Sequence, residues 1–218
     1  MAYTGHLPTI NPNRADLMLY LNPRNKSNNA TDKNQWADYN GKHTAQLTGL
    51  HYGAIDGWMT NENDVNYLKL TSGAQLTLPT FRPFKLDPTL TNVTDSSVGS
   101  GLTIELDFTV RGVLDYSAQL FKCISSTRDA NPKPIVGFSV TGDKAYFYGG
   151  STQLMSLSLV EGKRTKISFV IEPRTGISYP MVYGYINGKL SGAVMYKTAT
   201  FEESMDDPAT LTISSESA

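Results

Sequence analysis

Two acids at alternate positions, Glu105-Leu-Asp107, are the residues in this chain best spaced for catalysis. In an extended strand the side chains alternate between faces, so both carboxylates would project from one side about 7 Å apart, a separation used by carboxylate pairs in glycoside hydrolysis. A hydrolase also needs a group to protonate the leaving oxygen. The next residues on that face are Thr109 and Arg111, so no third acid is at hand. The pair reads better as two solvated residues opposite the apolar row Leu102, Ile104, Leu106, Phe108 and Val110, and no enzymatic activity is expected. The other chemistry-bearing residues do not assemble. His6, His43 and His51 have no mutual spacing typical of a metal site and no cysteine nearby. There is no Gly-x-Ser-x-Gly elbow for a nucleophilic serine, and Gly149-Gly150-Ser151 joins two strand-like runs instead of cradling a phosphate.

Binding suits the residue types better. Saccharides are recognised by flat aromatic faces that cover their C–H patches, with amide and carboxylate side chains hydrogen-bonding the hydroxyls. One candidate cluster is Tyr146 and Tyr148, which alternation sends to one face with Phe147 on the other, beside Asp143. A second is Tyr52, Asp56, Trp58 and Asn61, in a segment that also holds His51 and Asn63. Tyrosines also cap β-sandwich cores with the hydroxyl at the rim, so each cluster has a packing reading beside the functional one. No cofactor is implied. The acid-rich stretches Asp87 to Asp95 and Asp206-Asp207 could supply oxygen ligands to calcium, although adjacent acids also make ordinary solvated turns.

The elements that must position these residues are strands. Between Tyr183 and Tyr196 two alternating runs meet at Asn187-Gly188, a dipeptide that tolerates the positive φ angles of a tight hairpin. Strand-like runs of the same kind cover Gly101 to Val110, Ile135 to Tyr148 and Lys166 to Glu172. Earlier in the chain, Ala15 to Asn22 reads as a first strand, with Leu17, Leu19 and Leu21 on one face. Period two also runs from Ala45 through Trp58 and Asn66-Tyr-Leu-Lys-Leu to Ala74, Leu76 and Leu78. Pro23 to Asn40 has the composition of a surface loop anchored by Trp36, and Thr80 to Gly99 is also loop-like. Val113 to Gln119 could make one short helical turn. The expectation is an all-β protein, a polar arm or linker over residues 1–14 and one sandwich domain over 15–218.

Composition narrows the partners. Lys and Arg number 19 against 20 Asp and Glu, a formal net charge of −1, without the basic excess that phosphate backbones select, so nucleic acid is not an expected partner. No apolar stretch reaches the length of a membrane span and the N-terminus lacks a charged and apolar leader, so neither membrane insertion nor ordinary secretion is expected. The single cysteine, Cys123, rules out an intrachain disulfide and suits a small buried apolar residue. The sequons at Asn25, Asn29 and Asn92 reflect asparagine-rich loops.

The succession of residues 101–108, 136–147, 162–172 and 184–192 resembles a concanavalin A-like or laminin-G-like jelly roll, an antiparallel two-sheet sandwich. Within that fold, Glu105-Leu-Asp107 is similar to the start of the Glu-x-Asp-x-x-Glu motif of jelly-roll glucanases, without its third acid. More narrowly, Asp16 to Asn22, the asparagine-rich loop with Trp36, Leu68 to Ala74 and the Asn-Gly hairpin are similar to minor structural and tail proteins of phages that infect Gram-positive bacteria. That resemblance implies a virion protein assembled in the bacterial cytoplasm and released by lysis, with other virion subunits as neighbours, homo-oligomerisation in the particle and host cell-wall polysaccharide as ligand. Such domains usually continue past Leu211-Thr-Ile-Ser with another strand, whereas this chain stops at Glu-Ser-Ala, so the expectation is either a domain truncated at the C-terminus, a fragment of a longer polypeptide, or a strand borrowed from a neighbour, since an unpaired edge there would be sticky. Three functions follow in order: an adhesion module, a purely structural connector in the virion, and a glycan hydrolase.

Overall fold

Alternating apolar and polar residues account for nearly every element. The computed structural model describes residues 19–23, 33–39, 41–53, 55–64, 66–71, 73–81, 102–111, 118–125, 134–149, 152–172, 181–195 and 209–214. Among them the strands are β1 (Gln35–Ala37), β2 (Thr44–Thr48), β3 (Gly57–Thr60), β4 (Asn66–Lys69), β5 (Gln75–Phe81), β6 (Leu102–Phe108), β7 (Ala118–Ser125), β8 (Pro134–Thr141), β9 (Lys144–Gly149), β10 (Thr152–Ser158), β11 (Thr165–Ile171), β12 (Met181–Ile186), β13 (Lys189–Met195) and β14 (Ala209–Ser214). No helix occurs among the described residues. An eight-stranded sheet runs β1-β2-β5-β14-β7-β8-β9-β10, a four-stranded sheet β13-β12-β11-β6, and β3-β4 form a separate ribbon. Every pairing is antiparallel. The chain passes repeatedly between the two large sheets, which makes the fold a jelly-roll sandwich.

The core lies where their apolar faces meet. Leu76, Leu78, Val136, Phe138, Val140 and Phe147 from the larger sheet bury themselves against Ile167, Phe169, Ile171 and Val182 of the smaller one. Phe169 stacks on Phe147 at 4.2 Å between ring centroids and meets Phe138 at 5.6 Å. At the sandwich edge, Gly184 of β12 admits Met155 and Leu157 of β10, because a Cβ there would stand 2.5 Å from the Met155 sulfur.

Several expectations hold. Asn187 and Gly188 have φ of +50° and +80° and join β12 to β13, as the dipeptide requires. On β6, Thr103, Glu105 and Asp107 are exposed while Ile104, Leu106 and Phe108 turn inward. Others are corrected. The run Ile135 to Tyr148 is a hairpin, β8 and β9 around Gly142-Asp143, with Gly142 at φ +58°. Trp36 anchors its segment in the core, but Gln35–Ala37 is an edge strand paired with β2 and not part of a surface loop. Residues 19–22 make no strand; Leu19 and Leu21 pack on the core, and Tyr20 is held to the turn that follows β1 because its N–H donates to Asp38 Oδ1 (2.7 Å) and its carbonyl accepts from Tyr39 N (3.0 Å). Ala118 and Gln119 belong to β7, not to a helical turn. The largest correction concerns β14, which is no edge: it sits inside the larger sheet, paired with β5 on one side and β7 on the other. The arm 1–14, with His6, and the acids at 87–95 and 206–207 lie outside the described residues, as does the Cys123 side chain.

Candidate functional site

Strands β2 and β5 pair directly, Thr48 against Gln75, so the 26 residues from Gly49 to Ala74 form an excursion that leaves the sheet edge and returns beside its own start. Two contacts close its base. Gly49, at φ +70°, passes so near Gly73 that a Cβ would lie 2.0 Å from the Gly73 carbonyl oxygen. Asp56 is fully buried and gathers four donors: the N–H groups of His51 (2.7 Å) and Tyr52 (3.1 Å) on Oδ1, and His51 Nδ1 (2.9 Å) and Thr71 Oγ1 (2.8 Å) on Oδ2. The side-chain bond from His51, opposed by burial and aided by Thr71 and the two backbone N–H groups, holds the Asp56 carboxyl well below the usual carboxylate range.

A depressed folded-state pKa means that the carboxylate stabilises the fold above the ordinary aspartate value and that this contribution declines as pH falls from about 4 toward the folded value. Asp56→Asn is therefore expected to be less stable than the parent at pH 7, with the gap narrowing on acidification below about pH 4. Urea titrations of both proteins from neutral to acid pH check this. A constant gap would remove the charge of Asp56 from the account.

Above this clamp two aromatic rings frame an open hollow of about 290 Å³ lined by Lys33, Tyr52, Gly53 and Trp58. Tyr52 has φ +51°, a left-handed conformation that a bulky residue adopts only when its surroundings impose it. Asp56 holds its N–H, its hydroxyl donates to the Lys33 carbonyl, and its ring lies against Gly57, where a Cβ would approach Tyr52 Cδ1 to 2.7 Å. Trp58 Nε1 donates to the same Lys33 carbonyl at 3.2 Å, and its ring meets Trp36 of β1 edge-on at 4.9 Å. The rings are thus fixed from both sides, and a ligand would meet a preformed surface.

The structure therefore joins Tyr52 and Trp58 and separates the rest. Asp56 lies beneath them as a positioning residue, without a surface of its own to offer a ligand. Asn61 stands at the far end of the β3-β4 ribbon, about 10 Å along it from Trp58, where its side chain accepts from Asn63 N (2.9 Å) and its carbonyl from Asp64 N (3.1 Å). Tyr146 and Tyr148 share a half-buried face of β9 with Phe147 in the core, as alternation predicts, and Asp143 is exposed in the turn before them. That strand is six strand spacings from β1 in the sheet, roughly 29 Å, so the two clusters are separate surfaces.

The acid pair of β6 is already partnered. Asp107 accepts two hydrogen bonds from Arg164, at 2.8 and 2.6 Å, and Glu105 accepts from Ser168 Oγ at 2.9 Å and pairs with Lys166 at 3.0 Å. Among the described residues no group of three His, Cys, Asp or Glu side chains is placed to hold a metal ion. Lys33, Gly57 and Thr71 were not identifiable as site residues from the sequence. For Gly57 the Asp56-Gly57 dipeptide is a turn signal, whereas nothing announces that the carbonyl of residue 33 would serve donors from residues 52 and 58.

No family model matches the sequence, and no curated protein matches it. Solved structures do. Trypanosoma rangeli sialidase in complex with a 2,3-difluoro-KDN superposes with a TM-score of 0.55 at 11% identity, over 98% of this chain and 30% of the sialidase. The same organism's sialidase in complex with sialic acid gives 0.53 at 12%, over 88% and 27%, and a mutant displaying trans-sialidase activity gives 0.51 at 11%, over 87% and 26%. What they share with this chain is the fold. This chain spans less than a third of the length of those sialidases.

Proposed function

We propose that this jelly roll is a carbohydrate-binding module that uses the Tyr52–Trp58 hollow to hold a saccharide without turning it over. The observation that carries the reading is Tyr52, a bulky residue held at φ +51° beside Trp58 so that two rings border one solvent-open hollow. Backbone strain of this kind costs roughly 1–3 kcal/mol and persists where the surroundings over-determine it, often at ligand sites. Aromatic faces fixed in advance bind sugar C–H patches with little ordering cost. Catalysis is not part of the reading, because both carboxylates of the β6 pair are held by basic groups of β11 and its approach.

The biological setting we propose is a phage tail or other virion appendage, with host cell-wall polysaccharide as the ligand and neighbouring virion subunits, including further copies of this chain, as partners. Several copies on one particle would raise a weak site's effective affinity by about 10²–10⁴ when the geometry allows simultaneous engagement. A purely structural connector is the second reading, favoured by Leu190 and Met195, which are 52% and 46% exposed on β13 at the edge of the smaller sheet.

Binding of the chain, presented multivalently, to purified Gram-positive cell-wall polysaccharides and to whole cells separates the two. Trp58→Ala is expected to weaken saccharide binding by about 2 kcal/mol, about thirtyfold, and Tyr146→Ala to leave it within twofold. Loss in Tyr146→Ala alone would move the site to β9. No saturable binding to any preparation would favour the connector.

A further inference from the structure

We propose that the saccharide bound between Tyr52 and Trp58 is an acidic one, whose carboxylate or phosphate group is met by Lys33; this rests on the binding reading above. Of the four described residues that line the hollow, one is a cation and none is an acid. Asp56, the carboxylate nearest to Gly53 and Trp58 in sequence, is buried behind the wall with His51 Nδ1 at 2.9 Å and three further donors, so its charge is satisfied internally. Lys33 makes no ion pair among the described residues, and its main chain is pinned where Tyr52 and Trp58 both donate to its carbonyl. Its ammonium is therefore tethered to a fixed point on the rim, and no described acid takes it up.

The charges of the ribbon are arranged in the same sense. Lys69 stands opposite Gly57 at the near end of the ribbon. The ribbon's acids, Glu62 and Asp64, lie in the turn at its far end, about 10 Å away. Although the chain as a whole carries a net charge of −1, the described side chains that line the hollow set positive charge beside two aromatic rings. A neutral sugar would satisfy the rings and leave the ammonium idle, whereas an anionic sugar uses both. Such a charge-assisted contact favours the acidic ligand and makes binding fall with salt.

Matched ligands test this by titration calorimetry: oligogalacturonate against its methyl-esterified form, and a glycerol-phosphate-substituted oligosaccharide against the same oligosaccharide without phosphate. At low salt at least one acidic member is expected to bind about tenfold more tightly than its neutral partner, and the preference is expected to vanish in Lys33→Gln and to shrink at 0.5 M salt. Preference for only the carboxylate or only the phosphate pair identifies the anion. Equal affinity within both pairs, or a preference that survives in Lys33→Gln, overturns the assignment of Lys33 and leaves the binding site standing. Absence of binding by all four overturns the binding reading and this one together.

Discussion

Phe169→Ala is expected to lower the free energy of unfolding by about 4 kcal/mol, the middle of the range for removing a buried ring. Phe169 is 1% exposed and belongs to the smaller sheet, yet its closest aromatic neighbours, Phe147 and Phe138, come from adjacent strands of the larger one. Truncation removes the ring from the middle of the inter-sheet layer, where both neighbours are held by antiparallel ladders and cannot close the gap. A domain's whole stability is typically about 5–15 kcal/mol, so the variant would sit near the threshold of folding. Chemical denaturation should show a lower midpoint with an unchanged slope. A loss below about 1 kcal/mol would contradict the packing of the two sheets through this residue.

Gly49→Ala should come next, at about 3 kcal/mol, and should take ligand binding with it. Two costs combine. An alanine at φ +70° is strained by about 1 kcal/mol, and its Cβ would stand 2.0 Å from the Gly73 oxygen, 2.8 Å from the carbonyl carbon and 3.2 Å from Ala74 Cα. All three contacts are main chain, so no side chain can swing aside. Relief requires the base of the 49–74 excursion to open, which disturbs the clamp at Asp56 and the rings above it. Gly41→Ala supplies the control, since Gly41 has φ +68° with nothing within 4 Å of the added carbon. It should cost only the conformational part, about 1 kcal/mol, and leave binding intact. Equal losses for the two variants would mean that the contact between Gly49 and Gly73 is not constrained.

The sequence-based reading was strongest where local chemistry decides the outcome. Asn187-Gly188 has few alternatives to a tight hairpin, and the alternation of β6 and β9 assigns Glu105, Asp107, Phe147 and the two tyrosines to their faces. It failed where partners are distant. Alternation says which face of Leu211 and Ile213 is apolar, but not that β5 and β7 would flank that strand. Ile135 to Tyr148 looked continuous because both arms of the hairpin keep period two and the turn occupies only Gly142-Asp143. Three residues of β1 are too few to show a period. At the site, Tyr52 and Trp58 were legible by type. Asp56 was assigned to the surface because its burial depends on Thr71 and on the main chain of His51 and Tyr52, and no propensity encodes that.

The position of β14 also sets a timetable for folding. During synthesis β5 and β7 emerge long before the strand that separates them, so each presents an unsatisfied ladder edge until residues 209–214 leave the ribosome. Joining strands so distant in the chain is slow, because loop-closure entropy is lost before the contacts can compensate. From the emergence of β7 until that of β14 the nascent chain therefore carries two open ladder edges, and a polypeptide cut off before Ala209 lacks an inner strand of its larger sheet.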